Sequence, residues 1–121
     1  MPEQVQDILT DLRDEVRAFV EERDWDQFHT PKNLAVSLCV ETAELLEPFQ
    51  WLPTGVASEL TTLKRDQVRH EMADVLVYLI RLADKLEIDL AAAVLEKLEL
   101  NRAKYPVDMV RGDARKYDEY G

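Results

Sequence analysis

Apolar residues recur at three- and four-residue steps in four stretches of the chain, which is the period of an α-helix. These stretches predict helices over residues 3–23, 31–47, 62–86 and 90–105. The links between them are short enough to favour antiparallel neighbours. At 121 residues, with only 3 Gly and 5 Pro, the chain is expected to form one domain over residues 1–121. The pattern therefore predicts an all-α fold, a four-helix antiparallel bundle.

Helix-capping residues stand where the pattern places the helix starts. Thr30 precedes Pro31, and proline suits the first helical position. Thr61 or Thr62 is a candidate cap for the third helix, and Asp89 is one for the fourth. The second and fourth helices are expected to end at prolines, Pro48 and Pro106.

The third helix carries two acids inside a run that is otherwise almost wholly apolar. Its inward stripe consists of Val68, Met72, Val75, Leu79, Leu82 and Leu86. Val77 and Ile80 make the opposite side apolar too, so a central helix covered on most sides is expected. Glu71 and Asp74 are i, i+3 neighbours, and Tyr78 lies one turn above Asp74. A buried carboxylate must be paired, protonated or bound to a metal.

The second helix contains a matching pair of acids. Glu41 falls in the middle of an apolar stripe, and Glu44 lies beside it at i+3. One such pair is most often a solvated helix face, but Glu41 and Asp74 both interrupt apolar stripes. If the two helices pack antiparallel, four carboxylates converge and require cations. Mg²⁺, with Mn²⁺ as an alternative, is the natural partner of such oxygen ligands, and Mg²⁺ retains open positions for phosphate oxygens.

Other kinds of site fit the sequence less well. A di-iron carboxylate bundle uses Glu-x-x-His on two helices, whereas His70 here directly precedes Glu71. The sequence has no Walker-type glycine-rich loop, His/Cys cluster or Ser-His-Asp pattern. The rival interpretation is a non-catalytic helical interaction module, in which the acids are buried switches or partner contacts.

Composition narrows the partners and the compartment. The formal net charge of −10 argues against stable binding to nucleic acid or to an anionic membrane. No apolar run approaches the roughly 20 residues that span a bilayer, and the first residues are not expected to be a signal peptide. The single cysteine, Cys39, cannot form an internal disulfide. A cytoplasmic setting is expected.

The acidic motifs and their flanking segments resemble a known family. Glu41-x-x-Glu44, then 26 residues, then Glu71-x-x-Asp74 is similar to the signature of the MazG-like all-α nucleoside triphosphate pyrophosphohydrolases, and most similar to the dCTP pyrophosphatase branch. The resemblance extends over about residues 19–120. The supporting segments are Glu22-Arg-Asp-Trp25-Asp-Gln-Phe-His29-Thr-Pro-Lys-Asn33-Leu, Phe49-Gln-Trp51, Ile88-Asp-Leu, Asn101-Arg-Ala-Lys104-Tyr105-Pro and Arg115-Lys116-Tyr117.

This resemblance implies a function and a set of site residues. The implied reaction is Mg²⁺-dependent hydrolysis of a nucleoside triphosphate, expected to be dCTP or a modified dCTP, to the monophosphate and pyrophosphate. The implied assembly is a homodimer or homotetramer. The metal-binding and catalytic acids are Glu41, Glu44, Glu71 and Asp74. The implied substrate-binding residues are Trp25 and Trp51 as walls for the base, His29, Tyr78 and Asn101 as polar pocket residues, and Lys97, Lys104 and Tyr105 near the phosphates.

The expected mechanism is attack of a water molecule on phosphorus, at the α position, with pyrophosphate as the leaving group. Aromatic faces hold a base by stacking, and a buried polar group can read the edge of the base. One of the acids is expected to act as the general base, with Glu47 as an outside candidate. The expected purpose is removal of unwanted nucleotides from the pool.

Overall fold

The computed structural model describes residues 7–113. This part of the chain contains two short 3₁₀ helices, Asp26–Phe28 and Ala57–Glu59, and no strand. The prediction of an all-α fold is therefore confirmed. The α-helices are α1 (Ile8–Glu22), α2 (Pro31–Leu46), α3 (Thr62–Lys85), α4 (Leu90–Lys104) and α5 (Val107–Val110).

Three of the four predicted helices begin at the predicted caps. The Thr30 hydroxyl accepts the N–H of Asn33 at 3.2 Å, and Pro31 is the first helical residue of α2. Thr61 caps α3 in the same way, and the Asp89 carboxylate accepts an N–H of α4. Because each cap satisfies a backbone donor that the helix leaves unpaired, these starts are defined locally by the sequence.

One predicted boundary is wrong, and one short helix was not predicted. The first helix was expected from residue 3, but Asp7 is extended and its carboxylate accepts the N–H of Leu9, so α1 begins at Ile8. Residues 3–6 lie outside the described part. After Pro106 the structure contains a short helix, α5, that the sequence pattern did not predict.

Both α1 and α3 end in a left-handed turn at a residue other than glycine. Asp24 and Glu87 have φ angles of 55° and 56°. In α1 the N–H of Trp25 reaches back to the Val20 carbonyl at 3.1 Å, and in α3 the N–H of Ile88 reaches the Ala83 carbonyl at 2.9 Å. This is the Schellman pattern of helix termination. It turns the chain sharply, so that Trp25 lies directly beyond the end of α1.

The chain divides into two compact units, Met1–Ile88 and Asp89–Gly121. In the first unit α3 packs against α2 and α1, around a small core of Val20, Leu34, Ile80 and Ala83. The second unit contains α4 and α5. The single domain over residues 1–121 and the four-helix arrangement stay predictions.

The expectation that α3 is covered on most sides is wrong for the single chain. Ile80, Arg81 and Ala83 are buried, whereas Met72 is 58% exposed. The same holds for other apolar side chains of this helix, namely Leu63, Leu76, Val77 and Leu79. The apolar surface of α3 thus exceeds what residues 7–113 cover. No helix within residues 7–113 combines the length and the apolar character required to cross a membrane.

Candidate active site

Three of the four predicted acids form a compact cluster. Glu41 and Glu44 project from α2 and Glu71 from α3, and one carboxylate oxygen of each lies within 4.8 Å of the other two. All three side chains are half-buried, while Asp74 is exposed. Asp74 is nevertheless close enough for its charge to raise the pKa of both Glu41 and Glu71. The structure therefore brings together the acids of two separate sequence motifs.

The pKa values reflect how costly it is to charge this cluster. Burial, followed by the hydrogen bond and the charge of Glu44, raises the pKa of Glu41 from 4.5 to about 7, and Asp74 and Glu71 contribute further. Burial and the charge of Glu44 also raise the pKa of Glu71. Removing carboxylates from water and placing like charges together both favour the protonated form. A positive charge among these carboxylates relieves both effects.

Two oxygen atoms of the cluster are left without a hydrogen bond. Oε2 of Glu41 and Oε2 of Glu71 are buried, and neither has a donor within the part of the chain that the structure describes. An unsatisfied buried acceptor costs free energy, so such atoms call for a ligand. Hard divalent cations such as Mg²⁺ prefer carboxylate oxygens. The donor set of this cluster therefore fits a divalent metal ion.

Tyr78 belongs to the same cluster. Its side chain is half-buried, and burial raises its pKa, as do the charges of Glu41, Asp74 and Glu44. The phenol therefore stays protonated at neutral pH and can donate a hydrogen bond beside the acids. Its role as a polar residue of the substrate pocket, which the family resemblance implies, stays a prediction.

A cavity of about 290 Å³ opens beside the acids, between the end of α2 and the start of α3. Its volume is near the lower end of the range for small-molecule sites, roughly 300 to 1,000 Å³. Trp51 is 85% exposed and leaves its ring available to a ligand. The lining consists of Glu44, Glu47, Pro48, Trp51, Lys64, Gln67 and Glu71.

Lys64 and Gln67 line this cavity and were missed by sequence reasoning. Lys64 is the only cationic side chain of the lining, and within residues 7–113 its ammonium group has no ion pair. The two residues precede Glu71 by seven and four positions, so all three share one helix face. That spacing is the feature of the sequence from which Lys64 and Gln67 could have been predicted as site residues.

The numbering of neighbouring residues shows the direction of packing. Glu41 lies near Asp74, whereas Glu44 and Glu47 line a cavity with Lys64 and Gln67. As the number rises along α2, the number of its neighbours on α3 falls. The two helices are therefore antiparallel, as the convergence of the acids requires.

Trp25 and His29 lie elsewhere in the first unit, on the segment that follows α1. The ring of Trp25 meets that of Phe19 edge to face, with centroids 5.7 Å apart. His29 is half-buried, and its Nδ1 accepts a hydrogen bond from Nε of Arg81 at 3.2 Å. Neither Trp25 nor His29 lines the cavity beside Trp51. A base pocket walled by both tryptophans stays a prediction.

The remaining predicted site residues belong to the second unit. Asn101 and Tyr105 are half-buried there, whereas Lys97 and Lys104 are exposed. Lys97, Asn101 and Lys104 are spaced by four and three residues, so they fall on one face of α4. Tyr105 caps the end of that helix. Their role near the substrate stays a prediction. The predicted segment Arg115-Lys116-Tyr117 lies outside the described residues.

Comparison with known proteins places this arrangement in context. The model of the MazG-like family matches residues 36–120. Over 113 residues, 92% of this chain, the sequence is 42% identical to human dCTP pyrophosphatase 1 and 40% identical to the rat protein of that name. A crystal structure of a pyrophosphatase from Archaeoglobus fulgidus superposes with a TM-score of 0.79 at 42% identity, covering 88% of this chain and 99% of that one.

The share of each protein that these matches cover decides which relationship they establish. The chain spans 66% of the length of the human relative. Since the family model and the structural superposition cover most of the chain, the predicted relationship to the dCTP pyrophosphatase branch is confirmed. The chain belongs to the MazG-like family.

Proposed function

We propose that this protein is a nucleoside triphosphate pyrophosphohydrolase that depends on Mg²⁺ and prefers dCTP or a modified dCTP. The observation that carries the proposal is the convergence of Glu41, Glu44 and Glu71, with two unsatisfied buried oxygens, beside an open cavity. The names of the human and archaeal relatives, a dCTP pyrophosphatase and a pyrophosphatase, support the same reaction.

The four acids would hold the metal ion, with Asp74 completing the set formed by Glu41, Glu44 and Glu71. A bound Mg²⁺ neutralises triphosphate charge and lowers the pKa of an attacking water. The Lys64 ammonium group faces the cavity and balances phosphate charge there. Trp51 offers a flat apolar surface on which a base can stack. In this proposal Trp25, His29, Tyr78 and Asn101 contribute to the base pocket, and Lys97, Lys104 and Tyr105 act near the phosphates.

The proposed chemical step is hydrolysis at the α-phosphorus. The oxygen of a water molecule attacks the α-phosphorus, and the bond to the oxygen that bridges the α- and β-phosphorus atoms breaks. Pyrophosphate leaves with that oxygen, and one of the acids accepts the proton of the water. The products are a nucleoside monophosphate and pyrophosphate, and the consequence for the cell is removal of a triphosphate from the pool.

A homodimer or homotetramer is part of the proposal. Large apolar side chains are exposed on every long helix, among them Ile8, Leu46, Leu63, Met72 and Leu95. Large exposed apolar side chains in such number are typical of subunit interfaces. The partner that fits it is a second copy of this chain.

A panel of triphosphates tests the reaction directly. The purified protein is incubated with Mg²⁺ and dCTP, 5-methyl-dCTP, dUTP, dTTP, dATP or dGTP, and the monophosphate and pyrophosphate are measured. We expect equal amounts of the two products, the highest rate with a cytosine nucleotide, and no turnover in the presence of EDTA. Release of inorganic phosphate instead of pyrophosphate, or no turnover of any member, would contradict the proposal.

The alternative function is a non-catalytic helical interaction module, and the exposed apolar surface favours it. Such a module needs no nucleotide, so Mg²⁺ with a non-hydrolysable triphosphate should leave its melting temperature unchanged. An enzyme is stabilised by the same addition, because the ligand binds the folded state.

Replacing Lys64 with Met should raise KM for the triphosphate at least about tenfold, because a charge-assisted contact to phosphate is lost. The acids remain in place, so kcat should change little. Steady-state kinetics on the best substrate measure both constants. Lys32→Met is the matched control, since Lys32 is exposed and does not line the cavity. An unchanged KM in Lys64→Met would show that Lys64 does not contact the substrate.

A further inference from the structure

Arg81 is a buried charged residue that the proposed reaction does not use. It stands on α3 between Ile80 and Leu82, and only 4% of its surface is exposed. Burying a guanidinium group is costly unless it is paired and hydrogen-bonded. Arginine is always protonated in proteins, so the surrounding residues must satisfy the charge.

The guanidinium group of Arg81 is satisfied by three different side chains. Its Nε donates to Nδ1 of His29 at 3.2 Å, and one terminal nitrogen donates to Oδ2 of Asp84 at 3.2 Å. The other terminal nitrogen donates to Oδ1 of Asp26. His29 and Asp26 belong to the segment after α1, so Arg81 fastens that segment to α3.

Two further cations complete the network. Nζ of Lys85 donates to Oδ1 of Asp26 at 2.8 Å. Arg17 on α1 forms a two-pronged contact with Asp84, at 2.5 and 3.0 Å. The network therefore joins α1, the segment that carries Trp25 and His29, and α3. If Arg81 is removed, Asp26 still contacts Lys85 and Asp84 still contacts Arg17. These contacts can hold the fold together without Arg81.

The contact with Arg81 determines which ring nitrogen of His29 carries the proton. Burial and the charge of Arg81 lower the pKa of His29, although Asp26 opposes them, so the ring is neutral at pH 7. A neutral imidazole has one donor and one acceptor nitrogen. Because Nδ1 accepts from Arg81, the proton resides on Nε2. Within residues 7–113 that N–H has no partner.

We infer that Arg81 is a positioning residue, which fastens the Trp25–His29 segment to α3 and presents His29 to the nucleotide as an Nε2–H donor. The inference rests on the proposed function. Its consequence for specificity is that His29 pairs with an acceptor on the base, such as a carbonyl oxygen, and opposes an amino group at the same place. The donor direction is set by Arg81 before any ligand arrives.

The form of His29 can be measured without any activity. The chain has 2 histidines, so long-range ¹H–¹⁵N spectra are simple, and His70→Gln assigns the signals. At pH 7.5 we expect His29 to be the Nε2–H tautomer in the wild type and a mixture of tautomers in Arg81→Met. Arg17→Met is the matched control, since it removes a cation from Asp84 but leaves the contact with His29. A tautomer that is unchanged in Arg81→Met would overturn the inference.

Kinetics on the best substrate test the positioning role. Arg81→Met should raise KM about tenfold to a hundredfold, as expected when a supporting contact of a binding residue is lost, with kcat nearly unchanged. Arg81→Lys retains a charge near Asp26 but cannot supply the planar fork, so its KM should be intermediate. Arg17→Met should retain the wild-type KM. If Arg81→Met does not fold, Arg81→Lys and Asp26→Asn provide the same comparison.

The possible outcomes separate the two proposals. A wild-type KM in Arg81→Met, or an equal rise in Arg17→Met, means that Arg81 only stabilises the fold and overturns the inference. An inactive wild-type protein contradicts the proposed function instead. The His29 tautomer then still decides whether Arg81 sets the donor direction.

Discussion

Replacing Glu41 with Gln should lower kcat for triphosphate hydrolysis by about 10³-fold, the order of effect seen when one charge-stabilising group is removed from an active site. Glu41 occupies the centre of the acid cluster, where burial and three neighbouring carboxylates act on it. Glutamine retains its shape but removes one negative charge, so the metal ion is held less tightly. Product formation with the best substrate, at saturating nucleotide and increasing Mg²⁺, measures the loss.

A second property of this variant separates catalysis from folding. Without metal, Glu41→Gln removes a carboxylate that is costly to ionise, so its melting temperature at pH 8 should be higher than that of the wild type. Asp66→Asn, an exposed change on the same helix α3, should leave both activity and stability unchanged. Full activity in Glu41→Gln would mean that the cluster does not carry the reaction. A lower melting temperature would point to a structural role for the charge.

The metal-free protein should lose stability as the pH rises towards 7, and Mg²⁺ should reverse the loss. The pKa of Glu41 is raised from 4.5 to about 7 by folding, and that of Glu71 is also raised. A raised pKa means that the folded state favours the protonated acid. The contribution of Glu41 to stability is therefore complete below pH 4.5 and is lost as the pH rises through about 7.

In the proposed function Mg²⁺ binds the charged carboxylates, so we expect its effect to be strongest above pH 7. At a hundredfold excess over its Kd it should stabilise the folded protein by about 2.7 kcal/mol, which corresponds to a rise in melting temperature of roughly 10 °C. Thermal unfolding between pH 5 and 8.5, in EDTA or in Mg²⁺, measures this. Potassium chloride at equal ionic strength controls for screening. A stability that is independent of pH in EDTA would contradict the raised pKa of Glu41.

The helix starts and the two acid pairs were predictable because both depend on short-range sequence rules, whereas the meeting of the two pairs depends on the packing of α2 against α3. Thr30 and Asp89 cap their helices through neighbouring backbone groups. Glu41 and Asp74 interrupt apolar stripes of the sequence, and an acid in such a stripe has to be paired, protonated or bound to a metal.

The parts of the structure that were not predictable depend on tertiary contacts or on unusual backbone conformations. The ends of α1 and α3 use Asp24 and Glu87 in the left-handed region, where sequence rules expect glycine. The ion network around Arg81 joins residues more than 50 positions apart, and no local pattern connects them. The exposed face of α3 has the composition of a core, and composition alone does not distinguish a face that stays exposed from one that is buried.

Helix α3 fixes the distance between the acids and the residue that anchors the Trp25–His29 segment. Glu71, at the acids, and Arg81, which anchors the Trp25–His29 segment, are ten residues apart on one uninterrupted helix, or about 15 Å along its axis. A single inserted residue between them would turn one end by roughly 100° relative to the other. If a nucleotide extends from the acids to the Trp25–His29 segment, as the proposed function implies, helical register sets the distance that it spans, and discrimination by length needs no moving part.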